Sequence, residues 1–140
     1  MKILLAVDGS EYTKKMLAYL TTHDGLFTPD HDYFIFTAQP ALPARARAAV
    51  GKEIVDRYHT EEAEKILAPA SKFLLRHVID AKSQWKVGPA GESIAKLATA
   101  GKFDLVIMGS HGHGALTNLV MGSVATQVLA SCKVPVLLVR

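Results

Sequence analysis

The sequence predicts an α/β fold, an open five-stranded parallel sheet flanked by helices. Three observations carry this. Apolar runs alternate with stretches of helical period from end to end, the pattern of βαβ units whose sheet is covered on both faces. The late run Leu105-Val106-Ile107-Met108 passes directly into Gly109-Ser110-His111-Gly112, a strand delivering the chain to a glycine turn. With 140 residues, the chain fits one domain, residues 1–140, large enough to bury its own core.

The first strand spans Lys2 to Val7. Its apolar run is short and ends at Asp8, which argues for a strand and against a signal segment. Tyr12, Met16, Tyr19 and Leu20 then sit at helical spacing behind the capping candidate Ser10. A second strand is expected from Asp32 to Ala38. The segment Gln39 to Gly51, rich in alanine, proline and arginine, reads as a mobile loop or a helix lead-in. Ala63, Ile66, Leu67, Ala70 and Leu74 mark a second helix, which Pro69 should kink or interrupt. The third strand is Lys82 to Val87; Ile94, Leu97 and Ala98 mark a third helix that Gly101 ends. The fourth strand is Asp104 to Met108. A fourth helix opens near Gly122 and continues through Val124, Val128 and Leu129.

The last strand, Val134 to Val139, is almost wholly apolar, and Pro135 is tolerated near the start of an edge strand. An apolar edge is an aggregation hazard unless covered. A second copy pairing through Val134 to Val139 would cover it in a symmetric homodimer; the alternative is an interior strand.

Composition excludes several classes. At 49% hydrophobic and 21% charged, the chain has ordinary globular balance, and no apolar run approaches the ~20 residues of a membrane span. The single cysteine, Cys132, leaves no intramolecular disulfide and suits a reducing compartment, so a cytoplasmic setting is expected. The net charge of +3 is mild, and Glu53 and Asp56 answer the cluster Arg45, Arg47 and Lys52, so no nucleic-acid groove is expected. Cys132 and Trp85 read as packing residues. Glu61, Glu62 and Glu64 ahead of Lys65 read as a solvated helix face. His111 and His113 lack the third and fourth ligands of a zinc site.

The chemistry concentrates in the glycines. Gly109 and Gly112 follow a strand, a nine-residue spacer runs from His113 to Met121, and Gly122-Ser123 opens a helix. Glycines let backbone amides approach a ligand, and a helix N-terminus presents unpaired N–H groups and a positive dipole end, so the pattern is that of a phosphate site. It is not a P-loop: Gly109 and Gly114 have the spacing, but Ala115 follows instead of lysine. Nor is it the dinucleotide fingerprint, because the turn after the first strand reads Asp8-Gly9-Ser10. Open parallel sheets bind ligands beyond the carboxyl ends of their strands where strand order reverses, which predicts that Asp8 and Gly109 face one ligand. Asp8 could equally cap the first helix.

The pattern G-x2-G-x9-G-[ST], matched by Gly109, Gly112, Gly122 and Ser123, comes with an acid after strand one and the ending Val134-Pro135-Val136-Leu137-Leu138-Val139-Arg140. With Gly88-Pro89-Ala90-Gly91-Glu92-Ser93-Ile94 and Asp104 to Gly112, it resembles the universal stress protein family over essentially the whole chain. The resemblance implies an adenine nucleotide alpha hydrolase-like, Rossmann-like three-layer sandwich with strand order 3-2-1-4-5. It implies the ATP-binding branch of the family, with ATP, ADP or AMP as ligand and Mg2+ or Mn2+ as a candidate counter-ion.

Carried over by residue, Asp8 with Ala6 and Val7 would contact adenosine, and Ala38 would meet adenine through its backbone. Met108 would lie near ribose or base, while Gly109, Gly112, Gly122, Ser123 and Val124 would cradle the phosphates. The family's common arginine after the second glycine is here His113. A histidine titrates near neutrality, so phosphate affinity is expected to differ between pH 6 and pH 8.

The resemblance implies a nucleotide-dependent regulatory dimer with a protein partner the sequence does not name. A slow or partner-stimulated ATPase and an interaction module without nucleotide are the alternatives. No P-loop lysine or general base beyond Asp8 supports robust catalysis.

Overall fold

The structure, a computed structural model, describes residues 1–114 and 118–140. The elements run β1 (Lys2–Ala6), α1 (Glu11–Thr22), β2 (Asp32–Gln39), α2 (Ala44–Val50), α3 (Lys52–Arg76), β3 (Lys82–Val87), α4 (Ala90–Ala100), β4 (Leu105–Gly109), α5 (Ser123–Ser131) and β5 (Val136–Val139). The five strands are all parallel in the order β3-β2-β1-β4-β5. Strand order therefore reverses between β1 and β4, as the expected topology requires.

Alternation along the strands builds two cores. Ile3 and Leu5 of β1, Tyr33 and Ile35 of β2 and Ile107 of β4 face α1 and α3, meeting Met16, Leu20, Leu67 and Leu74. Leu4, Phe36, Val106 and Met108 face the other way, meeting Ile94 and Ala98 of α4 and Ala125 and Val128 of α5. Parallel strands covered on both faces are continuously apolar, which is why β1 and β4 stand out in the sequence.

α1 begins where expected: the Ser10 side chain accepts from the Thr13 amide at 3.4 Å, and Thr13, Met16, Leu17 and Leu20 are buried. Of the two readings of Gln39 to Gly51, a helix lead-in agrees with the structure for its second half, while Gln39 itself ends β2. Residues 44–50 form α2, as alanine and arginine favour, and Gly51 at φ 84° turns the chain directly into α3. α3 also starts well before the periodic stretch from Ala63 to Leu74 and runs 25 residues. Pro69 does not interrupt it. Pro69 is exposed, so the Lys65 carbonyl that loses its donor faces water, while Ala63, Leu67, Ala70 and Leu74 pin the helix on both sides.

β5 is shorter than expected, starting at Val136, because Pro135 has no N–H to give; only its carbonyl joins the sheet, accepting from Val106 N–H at 2.9 Å. Among the described residues the strand pairs only with β4, and it is an edge of this sheet, not an interior strand. Trp85 is half-buried against the first core and Cys132 packs against the second. Lys65 pairs with Glu62 at 2.8 Å on an exposed helix face. Among the described residues no helix is long and apolar enough to cross a membrane.

Candidate functional site

The site grows from where the strands stop. In register, Ala6 of β1 lies between Phe36 of β2 and Met108 of β4. On the α4/α5 face the side chains shrink toward the carboxyl ends: Leu4 gives way to Ala6, and Phe34 and Phe36 give way to Ala38. That taper opens a crevice between the sheet and the starts of α4 and α5. Ala6, Val7, Asp8, Ala38, Met108 and Gly109 line it from the strand ends, and Gly112 and Val124 line it from the loop and helix beyond β4. Met108 is buried and forms its floor.

Asp8 is held by its own turn. Its Oδ1 accepts from the Ser10 amide at 2.9 Å and from the Thr13 hydroxyl at 2.8 Å, and its N–H donates to Thr13 Oγ1 at 3.0 Å. Ser10 caps α1, so Asp8 organises the turn rather than serving as the cap. Its second oxygen points across the crevice to the glycine loop: a Cβ placed on Gly112 would lie 2.8 Å from Asp8 Oδ2. At Gly109 a Cβ would lie 2.6 Å from Tyr12 Cβ. Gly109 is required because the end of β4 packs this closely on the first turn of α1, whereas a side chain at Gly112 would have to push the Asp8 carboxylate aside.

The loop beyond β4 is tied to α5. Gly122 N–H donates to the Ser110 carbonyl at 2.7 Å, and the first intrahelical bond runs from Thr126 N–H to the Gly122 carbonyl at 3.0 Å. The amides of Ser123, Val124 and Ala125 precede that bond and have no partner within the helix. They give the mouth of the crevice a positive dipole end. Gly122 and Ser123 sit at this mouth rather than in the crevice wall, with Ser123 exposed at the first position of α5. A Cβ-free loop facing unpaired amides fits a phosphate.

Two histidines fasten the loop. Ser110 Oγ donates to His111 Nδ1 at 2.8 Å, and His111 Nε2 donates to the Leu119 carbonyl at 2.8 Å. The ring also packs 5.0 Å from that of Tyr12. His113 is exposed, and its Nε2 donates to the Asp8 carbonyl at 2.7 Å. The substituted position therefore bridges the two loops. Of the spacer between the glycines, residues 115–117 lie outside the described residues, including the Ala115 that breaks the P-loop pattern.

Sequence reasoning missed Thr13, Thr37, Ala90, Ile94 and Ala125 in the crevice wall, and His111 as the loop's fastening. Ala90 and Ile94 were accessible by the rule already applied to β1 and β4, since α4 starts just past the carboxyl end of β3. His111 gave no signal beyond its place in the motif. Among the described residues lining the crevice, Asp8 is the only charged one. Among the described residues no group of three or more His, Cys, Asp or Glu could hold a metal ion.

The sequence profile of the universal stress protein family matches residues 1–140. A universal stress protein of Thermus aquaticus is 33% identical over 142 residues, covering 99% of this chain and 97% of the relative. Another, from Synechocystis, is 32% identical over 139 residues; the match covers 99% of this chain but 42% of that longer protein. Among solved structures, the protein MJ0577 of Methanocaldococcus jannaschii superposes with a TM-score of 0.78 at 27% identity, covering 99% of this chain and 94% of that one. A universal stress protein of Archaeoglobus fulgidus in complex with dAMP shares the fold with a TM-score of 0.67 at 19% identity, covering 100% of this chain and 98% of that one. Matched from its first residue to its last, this chain belongs to the universal stress protein family.

Proposed function

We propose that the chain binds an adenine nucleotide in the crevice between β1 and β4 and acts as a nucleotide-dependent regulatory protein. The observation that carries this is the pairing of two features at one place. The tapered strand ends leave a narrow slot with largely apolar walls, and the unpaired amides of α5 stand at its mouth beside Gly112 and the strand end Gly109, where a Cβ would collide with Tyr12. A base in the slot would meet the Ala38 backbone, with Ala6, Val7 and Met108 beneath it. Asp8 would receive the ribose, and Gly109, Gly112, Gly122, Ser123 and Val124 would surround the phosphates, with His113 at the rim. The dAMP complex of the A. fulgidus relative supports an adenine ligand. ATP is the favoured form, because the loop and helix N-terminus extend past the slot toward solvent. A divalent ion such as Mg2+ or Mn2+ would enter on the phosphates.

Binding, not turnover, is the proposed role. Asp8 Oδ1 already accepts two hydrogen bonds within its turn, and a group so engaged is placed to orient a ligand. The half-exposed edge strand β5 supports a homodimer formed through Val134 to Val139; a monomer in sedimentation at micromolar concentration would remove that part. A cytoplasmic setting and a protein partner complete the proposal.

The test is calorimetric titration of nucleotide-free protein with ATP and magnesium, repeated with Ser123→Glu. Glutamate at the first turn of a helix is favourable for folding, so the variant should melt no lower than the parent. It places negative charge where the phosphates would lie, so ATP should bind at least about tenfold more weakly while adenosine is unaffected. Equal ATP affinity in the two proteins would remove the phosphate assignment. No heat with the parent protein at two temperatures would remove the nucleotide reading altogether.

A further inference from the structure

On the opposite face of the sheet, α1 and α3 run side by side and do not close on each other. Between them lies a cavity of about 450 Å³, floored by Leu17, Ala18, Ile66, Pro69, Ala70 and Phe73. Three cations stand on its rim, Lys14 from α1 and Lys65 and Arg76 from α3, and Lys72 lies in the adjoining hollow with Leu75. No acidic side chain lines it among the described residues. Lys65 is answered by Glu62 at 2.8 Å, whereas among the described residues no ion pair engages Lys14, Lys72 or Arg76. Arg76 rests 5.8 Å from the Phe73 ring, holding its charge at the apolar edge. Much of the chain's modest positive excess is thus gathered around one greasy trough.

We propose that this trough is a binding site for a single-chain anionic amphiphile, a free fatty-acid type carboxylate, with the carboxylate between Lys14 and Arg76 and the alkyl chain along the floor toward Lys65. Size separates this occupant from a partner helix. The cavity falls within the ~300–1,000 Å³ typical of small-molecule sites. A single helical turn, roughly 10 Å across and 5.4 Å tall, would already fill ~420 Å³, so a docked helix could place little more than one turn here. An alkyl chain suits the shape better, because the floor runs along α3 from Lys65 to Arg76, roughly 16 Å at 1.5 Å per residue. The site is separate from the nucleotide crevice. Thr13 is the wall they share, lining both cavities and holding Asp8 on the crevice side.

The experiment uses dodecanoate below its micelle concentration, followed by calorimetry and by amide shifts of isotope-labelled protein. Saturable binding of about one molecule per chain is expected, with shifts centred on Ala18, Ile66 and Phe73. Each CH2 added between octanoate and dodecanoate should strengthen binding severalfold, up to roughly fourfold for a fully buried group.

Two variants test the assignment. Ala18 is exposed on its helix, so Ala18→Trp fills the trough without entering the core and should weaken binding at least tenfold with unchanged circular dichroism. The pair Lys14→Glu and Arg76→Glu should weaken dodecanoate similarly and leave dodecanol unchanged. Absence of saturable binding, or binding indifferent to Ala18→Trp, overturns the proposal. So does dodecanol binding as tightly as dodecanoate. Shifts centred on Ala6 and Ala38 would move the ligand to the nucleotide crevice and equally overturn it. Binding to anionic vesicles without binding of the monomer would assign the cations to a membrane surface, and binding only of an acidic amphipathic peptide would assign the trough to a partner helix.

Discussion

The two faces of the sheet are built from the same strands and finish differently. Toward α1 and α3 the side chains stay large: Tyr33, Ile35, Leu5 and Ile107 are all at most 2% exposed, and α3 extends for 25 residues across them. Toward α4 and α5 the strands taper to Ala6 and Ala38, the covering helices have 11 and 9 residues, and the chain is drawn tight by glycine contacts. The sheet surface under α1 and α3 is filled, the trough lying between the helices and not on the strands, whereas the mouth of the other face stays open. A core must be filled to near-crystal density to be stable, so a site for a flat ring is available only where the side chains are short.

The strongest way to break this comparison is to damage the filled face and watch the open one. Leu74, on α3, is fully buried in the first core. Leu74→Ala should cost about 2–5 kcal/mol in denaturant unfolding, yet the folded variant should keep its nucleotide affinity. A loss of affinity beyond a few-fold at a temperature where the protein is still folded would mean that the two faces are not independent.

The mouth should respond in the opposite way, with stability and affinity falling together. At Gly109 an added methyl would lie 2.6 Å from Tyr12 Cβ and 3.2 Å from the Tyr12 backbone, and neither atom is the free end of a flexible chain. Gly109→Ala should cost about 1–3 kcal/mol and weaken ATP at least tenfold, because the shift displaces Tyr12 and with it the ring that packs on His111. Retained affinity in a destabilised variant would show that the loop's exact closure does not matter to the ligand.

How much of this was legible in the sequence follows from the same asymmetry. The strands, their parallel arrangement and the glycine motif could be read because buried strands and close loop contacts restrict residue type at each position. Ala6, Val7, Asp8, Ala38, Met108, Gly109, Gly112 and Val124 do converge on one crevice. α2 could not be read, because none of its residues is buried and a helix without an apolar face leaves no period. The continuity of α3 through Pro69 was hidden for a related reason: a local rule about proline gave way to burial on either side of it. The contacts of His111 and His113 depend on how two distant loops fold back, and no spacing along the chain records that.

Smaller effects sharpen the account of the filled face. The Tyr33 hydroxyl donates to the Thr28 carbonyl at 2.7 Å, and burial pushes its pKa up to about 12. The folded state thus holds this proton more tightly than the unfolded chain. The resulting stability is fully present below the ordinary tyrosine value of about 10 and is lost as pH rises through about 12. In an ultraviolet titration one of the four tyrosines should ionise late, and Tyr33→Phe should remove that late phase while costing about 0.5–1.5 kcal/mol at neutral pH. A late phase that survives the substitution belongs to another residue.

The smallest expected effect comes from the one polar atom on that face without a partner. His59 is 4% exposed on the buried stripe of α3, its ring 6.5 Å from that of Trp85, and among the described residues its Nδ1 is the only buried side-chain nitrogen or oxygen lacking a hydrogen bond. An unsatisfied buried polar group costs free energy that an apolar side chain of similar size does not. His59→Leu should therefore be close to neutral or slightly stabilising, and leave nucleotide affinity unchanged because the stripe faces away from the crevice. A clear loss of stability on chemical denaturation would instead mean that the imidazole is packed or bonded in a way leucine cannot replace. It would also mean that the filled face is held in part by polar contacts and not by apolar volume alone.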